Sequence, residues 1–149
     1  MMIKYKPLRL SVIRFIKQIA ADFMAKHPGS QIEFVDLDAV EDLEKLPAAD
    51  CMGLSAFALQ PDENMADVFF AVALSTWSDP DNLRLIDMVD LACDYLLPGC
   101  KVEVWSADPA TNPPSGFMVV ANDTSIDPVD RDGHRAIQFI NLRLKPIAR

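Results

Sequence analysis

The stretch ADVFFAVALSTW (66–77), SDPDN (78–82), LRLIDMVDLACDYLL (83–97) decides the fold. Its first part alternates as a strand does, with Val68, Phe70, Val72 and Leu74 on one face and Phe69, Ala71, Ala73 and Trp77 on the other. Both faces are apolar, which predicts a central strand. The bulky face suits packing on helices. The small-plus-aromatic face suits a second layer or a partner subunit. The acidic turn then starts a helix, with Asp79 as the cap, Pro80 at the first helical position and Asp81 at the positive end of the helix dipole. Leu85, Val89, Ala92 and Leu96 form the expected core stripe, flanked by Ile86, Met88 and Cys93. Asp87, Asp90 and Asp94 share the opposite face. Leu83 and Leu91 flank these acids, where a plain surface helix would be polar. The unit thus carries more apolar surface than two helices and a sheet obviously cover, which is a reason to expect partners.

Upstream, Leu8 to Lys26 reads as a helix in which Leu8, Val12, Phe15, Ile16, Ile19, Ala20 and Phe23 share one face. Ser11, Arg14, Gln18 and Ala25 lie opposite. His27-Pro28-Gly29 stops it. Residues 31–37 (QIEFVDL) predict a short strand. Residues 38–50 (DAVEDLEKLPAAD) predict a helical turn or two, or a packed loop. Residues 51–59 (CMGLSAFAL) predict an apolar strand that forms a hairpin with 66–77 through a turn at 60–64. Downstream, strands are expected at 101–106, 117–121 and 134–145, separated by a Pro-rich loop (107–116) and an Asp-rich loop (122–133). The last strand shifts its apolar phase from Ile137 and Phe139 to Ile140, Leu142 and Leu144, which predicts a bulge or a change of partner. The whole predicts a single α+β domain over 1–149, a mostly antiparallel sheet of about five to six strands with two main helices packed on one face.

Composition narrows the function classes. The 149 residues are half hydrophobic and 24% charged, ordinary for a soluble domain, and no apolar run approaches the ~18–20 residues of a membrane span. The opening segment has no signal-peptide pattern. Three cysteines without a CxxC pair predict reduced, mostly buried thiols. A net charge of −8 argues against nucleic-acid binding by the whole surface. That charge is uneven. Lys4, Lys6, Arg9, Arg14, Lys17 and Lys26 face only Asp22 at the start, and Arg135, Arg143, Lys145 and Arg149 face no acid at the end. Basic ends on an acidic body are either compensated internally or complementary surfaces for head-to-tail assembly.

Sites of catalysis are absent from this reading, and no enzyme activity, cofactor or metal is expected. GLSAF (53–57) has Phe57 where a nucleophile elbow needs its second glycine, which rejects Ser55. Aligning Gly133 with the sixth position of an EF-hand loop leaves Pro128 at the first and Phe139 at the twelfth, so the Asp-rich run reads as a turn. His27 and His134 have no ligand neighbours at zinc spacing, and no phosphate-binding glycine motif occurs.

Three segments together resemble the tail terminator and minor tail protein family of long-tailed bacteriophages. They are the opening helix RLSVIRFIKQIAADF (9–23) before HPG, the strand-turn-helix of 66–96, and SIDPVDRDG (125–133) leading into HRAIQFINLRLK (134–145). The likeness rests on layout and size over nearly the whole chain. It implies a viral structural protein forming a homohexameric ring at the head-proximal end of the tail. Such a ring ends tail-tube polymerisation and docks to the neck, the head–tail connector, within a virion assembled in the host bacterial cytoplasm. Its partners would be further copies of itself, the tail tube protein and the connector protein, with viral DNA passing through an acidic lumen unread and no membrane involved. A ring needs two different patches per subunit. The residues expected to supply them are Phe69 and Trp77 on the second strand face, Leu83, Asp87, Asp90, Leu91 and Asp94 on the helix, Trp105, and the basic Arg135, Arg143 and Lys145. Leu91→Asp is therefore expected to weaken assembly more than stability. The alternatives are another phage neck or head-completion protein, and a small-ligand-binding or enzymatic α+β domain with an unseen site.

Overall fold

A computed structural model describes residues 5–61 and 66–146. The tip of the predicted hairpin turn at 62–64 and the basic residues Lys4 and Arg149 lie outside the described residues. The elements run α1 (Tyr5–Lys26), β1 (Ile32–Asp36), β2 (Asp50–Pro61), β3 (Ala66–Trp77), α2 (Leu83–Leu96), β4 (Lys101–Val104), β5 (Gly116–Val120), β6 (Ser125–Ile126), β7 (Asp130–Asp132) and β8 (Arg135–Pro146). The fold is α+β. The sheet follows the order β1-β2-β3-β8-β5-β4, with β6 and β7 also pairing β8. Among the described residues, only the β1–β2 pair is parallel. Both ends of this path, β1 and β4, touch α1, so the sheet curls around that helix.

The opening stretch occupies the place its sequence predicts. β3 is central and pairs β2 on one edge and β8 on the other. Its bulky face, Val68, Phe70, Val72 and Leu74, joins one core with Leu8, Val12, Phe15, Ile16, Ile19, Ala20 and Phe23 of α1 and with the inner stripe of α2. Removing that much apolar surface from water is the main stabilising term of the fold.

The second face of β3, expected to meet a second layer or a partner subunit, is covered over much of its length by the same chain. Ala71, Ala73 and Ser75 are buried within the single chain. The cover is the crossover from β1 to β2, residues 37–49, which contains short 3-10 turns at Leu37–Ala39 and Leu43–Lys45. A parallel pair cannot be joined by a tight hairpin, so this connection must travel the length of the strands. It does so across the face away from the helices. The Leu37 side chain sits against Gly53, where an added Cβ would lie 2.5 Å from the Val35 carbonyl oxygen. Only glycine fits that approach. The Asp38 carboxylate accepts hydrogen bonds from Ala56 N (2.8 Å) and Phe57 N (3.2 Å). These residues form the β2 bulge, at which Ala56 has a φ of 54°. At the far end, buried Arg135 donates to the Ser75 hydroxyl (2.8 Å) and to the carbonyls of Pro47 and Ala49.

The β8 alternatives are decided, and the start of the second helix changes. Pairing of β8 with β3 is unbroken from Val68↔Leu144 to Trp77↔Arg135, so β8 has no bulge. Its phase change reflects a change of partner, because β7, β6 and β5 pair its other edge in turn. The Asp-rich loop accordingly contains two short strands. The second helix begins at Leu83, after Asn82 in a left-handed conformation (φ 57°), so Pro80 and Asp81 lie in the preceding turn. Asp79 still caps it, accepting from Arg84 N (3.4 Å) and Leu85 N (3.1 Å).

Candidate assembly surfaces

Four of the side chains expected at an interface come together on α2. Leu83, Asp87, Asp90 and Asp94 form one outward stripe, joined by Ile86, which the sequence reading had placed beside the core. Leu83 is 63% exposed and Ile86 51%. Their spacing of three and four residues sets them on a single face of a 3.6-residue helix. The three carboxylates also crowd one another, since like charges at i,i+3 and i,i+4 destabilise a helix. Among the described residues none of them forms an ion pair. The nearby Lys26 is taken by Asp22 (3.2 Å), and Arg84 by Asp50 (3.0 Å).

Leu91 is a correction. It is 9% exposed and belongs to the core with Leu85, Met88, Ala92 and Leu96. The inner stripe is rotated toward Met88 and Leu91 relative to the one expected on Val89. Leu91→Asp would therefore place a charge in the core, and it is a stability variant before it is an assembly variant.

The remaining expected residues fall into three separate places. Phe69 is half-buried beneath the Arg143 guanidinium (6.0 Å), which lies near Asp67 (3.4 Å) and Asp123 (3.2 Å). Trp77 is half-buried, with the Arg135 guanidinium 5.2 Å and the His134 ring 5.4 Å from its ring, and its backbone N–H donates to Asp50. Arg135 is therefore not a free surface cation, a second correction. Arg9 is likewise engaged with Asp36 (2.6 Å), so much of the basic charge at both ends is compensated inside the molecule. Lys145 is exposed at the end of β8.

Trp105 borders a feature the sequence reading missed. A groove of about 910 Å³ runs between the outer side of α1 and residues 105–109. Its walls include Lys6, Leu10, Arg14 and Lys17 from the helix and Trp105 and Pro109 from the loop, with Asp108 as its one acid. Leu10 is 53% exposed. The Arg14 guanidinium stacks 4.7 Å from the Trp105 ring centre. Ser11, expected on the outer face of α1, is instead buried. Its hydroxyl accepts from Trp105 N (3.0 Å) and donates to the Pro7 carbonyl (2.8 Å), which ties the loop to the helix. The loop is held internally as well: Asp108 O accepts from Thr111 N and Asn112 N, and the Ser115 hydroxyl accepts from Ser106 N. The Pro-rich 107–116 segment is thus a built wall. Nothing in the linear pattern joins Trp105 to Ser11 and Arg14, which lie far apart in the chain.

Reactive groups are muted. Burial pushes the Cys51 thiol up, and burial with Asp90 and Asp94 does the same to Cys93, which disfavours the nucleophilic thiolate. The His27 ring stacks on Phe23 at 4.2 Å. The Tyr95 hydroxyl donates to Asp22 (2.5 Å), and this bond, with burial, raises Tyr95 to about 12. Among the described residues, no three His, Cys, Asp or Glu side chains are grouped to hold a metal ion, and no helix is long and apolar enough to cross a membrane.

No family model matches this chain, and no curated protein matches it. One solved structure, carrying a serial designation that names no activity, is similar over 98% of this chain and 97% of its own, with a TM-score of 0.55 at 14% identity. At that identity the likeness speaks to the arrangement of helices and strands alone.

Proposed function

We propose that the protein is a structural subunit of a phage tail, of tail-terminator type, which closes into a ring of identical copies on the last ring of the tail tube and presents its other face to the neck. The observation that carries this reading is the outward stripe of α2. Two large aliphatic side chains, more than half exposed, stand beside three carboxylates that form no ion pair among the described residues. A surface of that kind, apolar at one end and acidic along the rest, has the make-up of a binding patch. The segment layout of 9–23, 66–96 and 125–145 supplies the choice of family. The role proposed is mechanical, consistent with thiols pushed away from reactivity and a histidine held on an aromatic ring. The acidic excess would face the passage taken by DNA, where like charge opposes sticking.

Electron microscopy of phage tail tubes assembled with and without the protein tests this. Capped tubes of limited length, carrying a ring of the added chain at one end, are expected. Tubes that lengthen equally in its presence, with no added density at either end, would overturn the reading.

A further inference from the structure

We infer that the basic groove between α1 and residues 105–109 is the seat of the α2 outer stripe of a second copy of this chain. The inference rests on the ring reading above and names the two surfaces that meet.

The chemistry of the two surfaces matches. The groove offers Lys6, Arg14 and Lys17 around apolar Leu10 and Trp105. The stripe offers Asp87, Asp90 and Asp94 beside apolar Leu83 and Ile86. Arg14 and Lys17 are three residues apart on their helix, as Asp87 and Asp90 are on theirs, so consecutive charges can meet along two packed helices. The dimensions agree too. The groove follows α1 from Lys6 to Ala21, about 24 Å at the helical rise, and α2 from Leu83 to Leu96 is about 21 Å long. Trp105, held by its backbone N–H to the Ser11 hydroxyl, by its indole N–H to the Asn112 carbonyl (3.3 Å) and by the Arg14 guanidinium over its ring, is a rigid aromatic anchor of the sort that dominates binding energy.

Among the described residues of one molecule, neither surface fills the other. The inner stripe of α2 is committed to the core, while its outer stripe and the groove are both open. The repulsion among the three carboxylates, unrelieved by any ion pair among the described residues, is relieved once cations of another copy approach. Two different patches in contact make a heterologous interface, which is the kind that closes a ring when its rotation permits.

The test uses two reversed variants of the full chain. One is Arg14→Glu with Lys17→Glu, and the other is Asp87→Lys with Asp90→Lys. All four positions are exposed, and circular dichroism checks that both variants fold. Light scattering coupled to size exclusion then measures association at low and high salt. Wild type is expected to associate, less so as salt rises. Each variant alone should associate at least tenfold more weakly. An equimolar mixture should recover, because the acidic groove of the first then meets the basic stripe of the second, and the basic groove of the second meets the acidic stripe of the first. Variants that associate as wild type does, or a mixture that stays apart, would overturn the pairing. So would a wild type that remains monomeric at all concentrations. A monomer that still caps tail tubes defeats this inference alone, whereas one that also fails to cap them defeats the ring reading.

Discussion

Asp79 joins the end of β3 to the start of α2. Its side chain is almost wholly buried, takes the N–H groups of Arg84 and Leu85, and so fixes the start of α2. Its backbone carbonyl receives Arg131 Nη2 (2.7 Å), which ties the 122–133 segment to the same point. Asp79→Ala is expected to lower stability by about 1–2 kcal/mol, read as a lower urea midpoint. Burial opposes ionisation of this carboxyl, but the Leu85 and Arg84 N–H groups and the Arg84 charge together hold it below its ordinary value. A carboxyl depressed on folding stabilises the native state above its unfolded value, near 4, and that contribution disappears as pH falls through the lower folded value. Asp79→Asn should therefore narrow the stability difference between pH 7 and pH 3 relative to wild type. The sequence showed the capping residue plainly, because Ser-Asp-Pro-Asp before an apolar run is a strong start signal. It hid the start of the helix itself, because Asn82 turns left-handed and delays the first helical residue to Leu83.

At the scale of the element, α1 was legible and α2 only partly so. The seven apolar residues of α1 expected on its inner face are all buried, while Leu10 and Ile13 lie off that face and line the groove. On α2, Leu83, Leu85, Ile86, Met88, Val89, Leu91, Ala92 and Leu96 cover most of the circumference. A wheel centred on Val89 and one centred between Met88 and Leu91 then use nearly the same residues, and only tertiary packing separates them. The distinction is measurable. Leu91→Ala removes core volume and should cost about 2–5 kcal/mol. Ile86→Ala should leave stability within about 0.5 kcal/mol of wild type while weakening self-association. The reverse pattern in urea unfolding would return Leu91 to the surface. The groove on the other helix escaped reading for a different reason. Its two walls are joined by Ser11 and Trp105, whose contact depends on how the sheet curls and leaves no trace in local periodicity.

The whole molecule explains why β3 could be placed from sequence while its surroundings could not. Strand alternation shows that both faces are apolar, but it does not distinguish a partner subunit from a stretch of the same chain. Here the 37–49 crossover covers the second face, with Arg135 as the fastening at its far end. Arg135→Ala would leave the Ser75 hydroxyl and the Pro47 and Ala49 carbonyls without their charged donor. A loss of about 2–3 kcal/mol is expected, with faster amide exchange across 37–49 than across β3. The tie between β3 and β8 has a further consequence, in the order of folding. Ten residue pairs join these strands, yet all of α2, β4, β5, β6 and β7 lies between them in the chain. Contacts so distant in sequence form slowly, because a long loop must close before any pair is gained. Until β8 arrives, one edge of the most apolar strand stands open to any strand of similar pattern. The equivalent strand of a neighbouring nascent chain is one such strand, so crowded synthesis favours exchange of β8 between copies, and dilution or slower translation favours the closed single chain.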